Sequence, residues 1–400
     1  MIIIRGGVIW LAIGWRLAQE LQKNGNKPSG GVILVERDKI GQGASHAAAG
    51  MLAAGIETEP SEEGLLPLTR AAQNMWPQFA AELEAASGIA LNYRSEGSLV
   101  IALTRDEREW LNRLARYQGK CGVELEFISP SAARQREPAL SPNITAAIYS
   151  RHDHQVENRA LSQALAVVFR RIGGVIYENS QAELICRQGR AVGVKITHKP
   201  DQVQVGEPHA DKCLSREILA ERIILAAGAW SHDLPGLPDA ARPPVRPIKG
   251  QMLAVQMDAT APLLSHVVWT HNTYLVPRLD GRLLIGATVE EKGFDAHLTA
   301  GGIYSLLEAA WRALPSIEEL PMVETWVGHR PGSPDDAPIL GEVTAGLGAD
   351  GLILATGHHR NGILLTPITA ELVANYVLHQ EASDLWRKFA PQRFDKAYRT

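Results

Sequence analysis

The chain switches between short, wholly apolar runs and longer stretches in which apolar residues recur every three or four positions. Ile2 to Ile4 and Val32 to Val35 are runs of the first kind, each the length of a strand buried on both faces. Between them, after Gly6-Gly7, Ile9 to Gln22 has the helical pattern and stops before the breaker-rich stretch Asn24 to Gly31. Glu36 closes the second run. Strand, glycine turn, helix, strand and acid predict the opening βαβ unit of a dinucleotide-binding fold.

Further along, Leu65 to Ser87 and Arg105 to Cys121 read as helices. Asn158 to Arg171 is amphipathic, with Leu161, Leu165 and Val168 on one face and Arg170-Arg171 at the C-terminal end. Ile223 to Ala227 and Leu352 to Ala355 predict two more buried strands, and Gly362 to Leu378 a closing helix. From about Gly250 to Val327 the period changes to two. There QMLAVQ, TYLVPR and RLLIGAT predict an antiparallel sheet, with Asp280-Gly281 as a hairpin turn. Residues 198 to 216 are polar and read as a surface hairpin or loop insertion. Nucleotide-binding pieces therefore lie at both ends and in the centre, interrupted by other material. A simple dehydrogenase would run its two halves consecutively.

Length and composition narrow the class. Four hundred residues, 45 % hydrophobic and 21 % charged, suit two interwoven globular domains and exclude a disordered chain, a collagen or a coiled coil. A net charge of −4 leaves no bulk basic field for nucleic acid or an anionic membrane. Cys121, Cys186 and Cys213 are few, odd in number and far apart, which argues against a disulfide scaffold and for a reducing compartment. No run approaches the roughly 18 apolar residues of a membrane span. Met1 to Leu11 lacks the charge order and cleavage site of a signal peptide, so the chain reads as cytoplasmic.

The dinucleotide fingerprint G-x-G-x-x-G is damaged. Its three glycine positions hold Arg5, Gly7 and Trp10. Arg5 is expected to need an unfavourable φ. Trp10, where a helix should press on a strand, is expected to overfill the contact by about 1–3 kcal/mol. Gly14, one turn on, is expected to leave a hollow that the indole could use. Glu36 reads either as the acid that binds ribose hydroxyls or as a solvated strand end. The run GQGASHAAAGML, Gly41 to Leu52, is more telling, because small residues let a backbone lie against a flat ring and a pyrophosphate.

Glu36-Arg37 with that run resembles the FAD-dependent amino-acid oxidase (DAO) family, most closely its glycine oxidases of thiamine biosynthesis. ILAAGAWS (Ile224 to Ser231), VRPIKGQML, YLVPR, LLIGAT, GHRPGSPDDAPILG and GHHRNGILLTPIT follow in matching order over nearly the whole chain. The resemblance implies an α/β fold. A Rossmann-like FAD-binding domain of the glutathione-reductase type (1–85, 150–248, 328–400) would interweave with an antiparallel-sheet substrate domain (86–149, 249–327). It implies noncovalent FAD. Contacts would come from Gly7, Val8 and Ile9 in the first turn, Glu36 and Arg37, and Ser45 with Ala48, Ala49, Gly50 and Met51. Ala182, Ala227, Gly228 and Trp230 would add others, with Val156 beside Ala182 near the adenine. His359, Arg360, Asn361, Gly362 and Ile363 would complete the set.

For the substrate, an arginine followed by proline offers a planar fork to one carboxylate, and the resemblance gives Arg330 that task. An ion pair of Arg330 with Asp335 or Asp336 is the competing reading. Tyr274 can donate its hydroxyl to the same carboxylate or serve as a core tyrosine. Met51, Asn272 and Arg360 would line the substrate side, while Arg278 reads as structural. Backbone N–H groups of Asn361, Gly362 and Ile363 are expected to face out from a helix N-terminus, where they would stabilise negative charge on a reduced flavin. His358-His359 does not have metal-ligand spacing, so no metal is expected. No group stands out as a general base. The activity implied is oxidative deamination of glycine or a small amine with oxygen as acceptor, by a homo-oligomer, a tetramer by resemblance. Alternatives are sarcosine, other N-substituted glycines, proline or D-amino acids as substrate, and a non-catalytic relative with weakened FAD binding.

Overall fold

The computed structural model describes residues 1–23, 31–198 and 215–394. Two sheets organise it. The smaller has six strands in the order Ile339–Glu342, Leu352–Thr356, Ile223–Leu225, Ile2–Ile4, Ile33–Val35, Val175–Tyr177. All neighbours pair parallel except the first two, which are antiparallel. The apolar runs form these strands because both sheet faces are covered. Ile3 points into one core cluster with the helices Val8–Lys23, Leu66–Ser87, Asn158–Arg171 and Thr366–His379. Ile2 and Ile4 point into a second cluster. That cluster packs against a three-stranded antiparallel sheet, Ser180–Arg187, Arg190–His198 and Ser215–Leu219. The last two strands flank the expected insertion, and its residues 199–214 lie outside the described residues.

The larger sheet has eight strands. Their order is Met322–Gly332, Arg246–Gln256, Arg282–Gly286, Tyr274–Pro277, Val267–Trp269, Ser98–Ala102, Ala146–Ser150, Glu126–Ile128. Its pairing is antiparallel as expected, with one correction: Val267–Trp269 runs parallel to Ser98–Ala102. The helix Ala300–Ala313 covers one face and shares its core with Leu253, Leu275 and Ile285. Among the described residues no helix is long and apolar enough to cross a membrane.

Three local expectations meet the structure differently. Arg5 does take a left-handed φ of 87°. Trp10 is fully buried within the helical core, but the hollow at Gly14 belongs to another ring. A Cβ at Gly14 would lie 3.0 Å from the Phe169 ring and 3.5 Å from Leu34, so that hollow docks the helix Asn158–Arg171 instead of the indole. The closing helix begins at Thr366, not Gly362. Residues 362–365 are turns, held by the Trp76 Nε1 donation to the Leu364 carbonyl (2.8 Å) and by Leu365 N to the Asn361 carbonyl (2.8 Å).

Candidate active site

The two sheets meet over a cavity of about 580 Å³, within the roughly 300–1,000 Å³ usual for cofactor and ligand sites. Its walls come from the fingerprint turn, the small-residue run, the turn after Ile223–Leu225, the strands around Tyr274 and Arg330, and the turn before Thr366.

At one end the backbone after Ile4 turns sharply. Arg5 N donates to the Val35 carbonyl (2.7 Å) and Gly41 N to the Gly6 carbonyl (2.8 Å). Gly6, a position the fingerprint leaves free, gives the Glu36 side chain its room. A Cβ on it would sit 2.3 Å from a Glu36 carboxylate oxygen. Glu36 is buried, which raises its pKa, while the Asp38 N–H donates to it at 2.8 Å. Ser45 Oγ accepts from Val8 N (3.0 Å), joining the small-residue run to the start of the first helix. The guanidinium groups of Arg5 and Arg37 lie 5.3 and 4.9 Å from the Trp230 ring centroid, and Phe294 stacks on that indole at 5.1 Å. Burial and the neighbouring Arg37 lower the Arg5 pKa to about 10.

The small-residue run is pinned from the larger sheet. Gly50 has φ +70°, and a Cβ there would fall 2.0 Å from the Val156 carbonyl oxygen. Arg278, on the far side of that backbone, donates to the carbonyls of Ala49 (2.8 Å) and Val156 (2.9 Å) and to Asn158 Oδ1 (2.9 Å). It is the structural arginine expected.

At the other end Arg330 and Tyr274 face the cavity together, and the Tyr274 hydroxyl, 3.7 Å from Met252 Sδ, lies within the electrostatic reach of Arg330. Gly250 makes the room, since a Cβ there would meet the Arg330 guanidinium at 2.5 Å. Arg330 Nη1 donates to the Thr288 carbonyl at 3.1 Å. The competing ion pair is not formed: Asp335 pairs with Arg393 (2.8 Å), and Asp336 lies 3.2 Å from His359 Nδ1, whose pKa burial lowers to about 4. Among the described residues no carboxylate is within 4 Å of Arg330, so the fork is free for a ligand. Met51 and Asn272 also line this end. Arg360 does too, but its charge is engaged by Glu62 (2.5 Å) and Glu59 (3.5 Å). Burial disfavours that charge, and the carboxylates of Glu57, Glu62 and Glu59 outweigh burial and raise its pKa.

Most of the expected cofactor residues line the cavity, from Gly7 to Ile9, through Glu36, Arg37, Ser45 and Ala48 to Met51, to Ala227, Gly228, Trp230, His359, Gly362 and Ile363. Two do not. Ala182 sits in an antiparallel ladder opposite Ile196, packed into the second core cluster. Asn361 N donates to the His358 carbonyl (2.9 Å), which leaves Gly362 and Ile363 as the residues of that turn on the cavity. Val156 likewise contributes its backbone to Arg278 and Gly50. His358 is buried against Thr369 Oγ1 (3.1 Å), and burial lowers its pKa to about 3. Glu62, Asp336 and His359 approach one another within 4.8 Å, a grouping no spacing in the sequence signals. Arg360 and the His359–Asp336 pair already occupy these acids. Glu57 also lines the cavity, where the charges of Arg360 and Arg330 act on it, and no sequence pattern marks it. It lies in a turn with no periodicity to mark it.

The residues present fit a flavin dinucleotide. A cradle that excludes any Cβ at Gly50, two cationic side chains beside an aromatic plate and a guanidinium fork without a carboxylate partner line one continuous cavity. Neither Cys121 nor Cys186, both free thiols, lines it.

A family model described as FAD dependent oxidoreductase (DAO) matches residues 1–376. The bifunctional protein ThiO/ThiG of Trichormus variabilis is 35 % identical over 399 residues, 99 % of this chain and 55 % of that protein. The chain thus spans about half the length of that relative. Glycine oxidase of Geobacillus kaustophilus is 33 % identical over 383 residues, covering 95 % of this chain and 93 % of that one. The crystal structure of glycine oxidase from Bacillus cereus matches with a TM-score of 0.82 at 30 % identity, over 97 % of each chain.

Proposed function

The chain belongs to the DAO family of FAD-dependent oxidoreductases, and from that premise we propose that it oxidises glycine or another small amino acid to the imine, with hydrogen peroxide as the second product. The imine then hydrolyses to glyoxylate and ammonia or passes to thiazole formation in thiamine biosynthesis. Relatives named glycine oxidase and ThiO/ThiG support this reading.

When bound, FAD supplies a two-electron acceptor that oxygen can reoxidise. The chain holds it through the Gly6–Ile9 turn, Glu36, Arg37 and the run from Ser45 to Met51, largely on the smaller sheet. The larger sheet supplies the substrate wall. Arg330 and Tyr274 take the substrate carboxylate as a charge-assisted pair, which fixes the α-carbon in one orientation. The backbone N–H groups of Gly362 and Ile363 present positive dipole ends to negative charge developing beside them. Met51 and Asn272 limit the size of the side chain admitted.

The observation that carries the proposal is Arg330, which lines the cavity beside Tyr274, donates to the Thr288 carbonyl and has no carboxylate partner among the described residues. Losing a buried, hydrogen-bonded charge contact costs about 2–5 kcal/mol. Arg330→Ala should therefore raise KM for glycine about 30-fold or more while the protein still folds and retains FAD. An unchanged KM removes the assignment. A panel of glycine, sarcosine, proline and D-alanine with peroxide detection identifies the preferred amine. The proposal includes a cytoplasmic homo-oligomer, a tetramer by resemblance, which light scattering after gel filtration measures directly.

A further inference from the structure

Among the carboxylates that line the cavity, Glu57 has least to do. Everything around it is tied down. Asp153 accepts from the N–H groups of Gly55 (2.9 Å) and Ile56 (3.0 Å), and Gln118 donates to the carbonyls of Ile56 (2.8 Å) and Thr58 (3.1 Å). Glu57 N donates to the Ala53 carbonyl (3.3 Å), and the Glu57 carbonyl accepts from Arg360 Nη2 (2.9 Å). Its carboxylate, by contrast, makes no hydrogen bond and no ion pair to any described residue, and it lines the cavity with Tyr274, Arg330 and Arg360. A backbone held this firmly around a half-buried carboxylate that opens onto the cavity is the arrangement expected of a group placed for a ligand.

The ligand's chemistry supplies the missing partner. An amino acid whose carboxylate sits on Arg330 and Tyr274 carries an ammonium one carbon away. Oxidation at that carbon requires the nitrogen lone pair, so one ammonium proton must leave. Of the other acids and bases nearby, Asp153 is engaged by Gly55 and Ile56, Glu62 by Arg360 and His358 by Thr369, and burial lowers the His359 pKa to about 4, which makes it a weak base. His271 lines the cavity but is exposed and stacks edge-on against Trp110.

Resting on the proposed amine oxidation, we propose that Glu57 receives the substrate's amino group and takes up one proton from its ammonium. The N–H bond breaks, an O–H bond forms on the Glu57 carboxylate, and the electron pair stays on nitrogen as the neutral amine. The charges that face Glu57 set when it can do so. Burial, with Glu62 and Asp153, raises its pKa, and Arg360 and Arg330 oppose them, leaving it at about 7. Tyr274 senses the same charge. Above about pH 7 the carboxylate is ionised and can accept; below, it is already protonated and cannot.

The test compares wild-type holoenzyme with Glu57→Gln and Glu57→Asp. Wild type should show kcat/KM for glycine falling below about pH 7. Glu57→Gln should lose about 10²–10³-fold in kcat/KM together with that acid limb, and Glu57→Asp should retain the limb. Acetate, which offers a carboxylate without an amine, should bind the Gln variant as tightly as wild type or tighter, read from the visible spectrum of the bound flavin. An acid limb that persists in Glu57→Gln overturns the assignment and leaves the amine oxidation standing. Acetate affinity that falls in parallel with turnover makes Glu57 a structural residue and also overturns it. A wild-type protein that oxidises no amine overturns both.

Discussion

Replacing Trp10 by glycine restores one of the two glycines missing from the dinucleotide fingerprint, and the structure predicts that it damages the protein. Trp10 is 0 % exposed and packs in the helical core cluster. Removing a buried aromatic ring costs about 3–5 kcal/mol, and glycine in place of alanine in a helix adds about 1 kcal/mol. One term opposes. The indole Nε1 has no hydrogen-bond partner among the described residues, and relieving a buried unsatisfied donor returns about 1–3 kcal/mol. The net is a loss of about 3 kcal/mol, several degrees in melting temperature. Trp10→Phe keeps most of the ring and removes the stranded N–H, so it should melt at or above wild type. Since Trp10 does not line the cavity, Trp10→Phe should also leave FAD retention unchanged. Thermal melting of the three proteins, followed by both flavin fluorescence and far-ultraviolet dichroism, separates folding from cofactor loss. A Trp10→Gly protein that melts like wild type and holds FAD more tightly would refute the reasoning, because the indole would then be an intruder in the helix–sheet contact and not part of its core.

Two further outcomes are expected. Gly50→Ala places a methyl group where the Val156 carbonyl oxygen lies and forces alanine to φ +70°; it should lower stability by more than about 2 kcal/mol and release FAD, measured by melting and by flavin left after gel filtration. His358 is neutral in the folded protein, with its pKa lowered to about 3. The unfolded chain binds its proton from about pH 6.5 downwards, so its contribution to stability is complete above about pH 6.5 and is lost as the pH falls towards 3. His358→Gln should flatten the stability profile over that window, and an unchanged slope in urea titrations would show that His358 is not responsible.

The parts of the fold legible in the sequence are those where one local pattern decides the outcome. Ile2–Ile4 and Ile33–Val35 are buried on both faces, so an unbroken apolar run was sufficient. The helix Asn158–Arg171 has the predicted bounds because its apolar stripe is regular and the Glu157 side chain caps it by accepting from Arg159 N. The closing helix shows where patterns mislead. Apolar residues continue back through Ile363 and Leu364, yet Thr366-Pro367 is the first helical turn, with Pro367 in the opening positions that tolerate its missing N–H. Arg330 and Tyr274 could be named because their types state their chemistry. Glu57 could not, since its loop is positioned by Asp153 and Gln118 from far along the chain. The parallel pairing of Val267–Trp269 with Ser98–Ala102 is equally invisible locally, being a long-range choice of neighbour.

Arg278 has a mechanical consequence. Its guanidinium, carried just past a strand of the larger sheet, is solvated by the backbone of Ala49 and Val156 and by Asn158, all on the smaller-sheet side of the cavity. Arg159 to Glu324 (2.8 Å) and Trp326 Nε1 to the Ala47 carbonyl (3.1 Å) cross the same seam. Swinging the two halves apart would strip a buried cation of its ligands, at about 3–5 kcal/mol for that residue alone. The molecule is thus built as a bolted frame and not as a jaw. A hinge between the two sheets is therefore the costly way to open the cavity, and the separation of the Gly50 backbone from the Arg330 and Tyr274 wall is set by this seam.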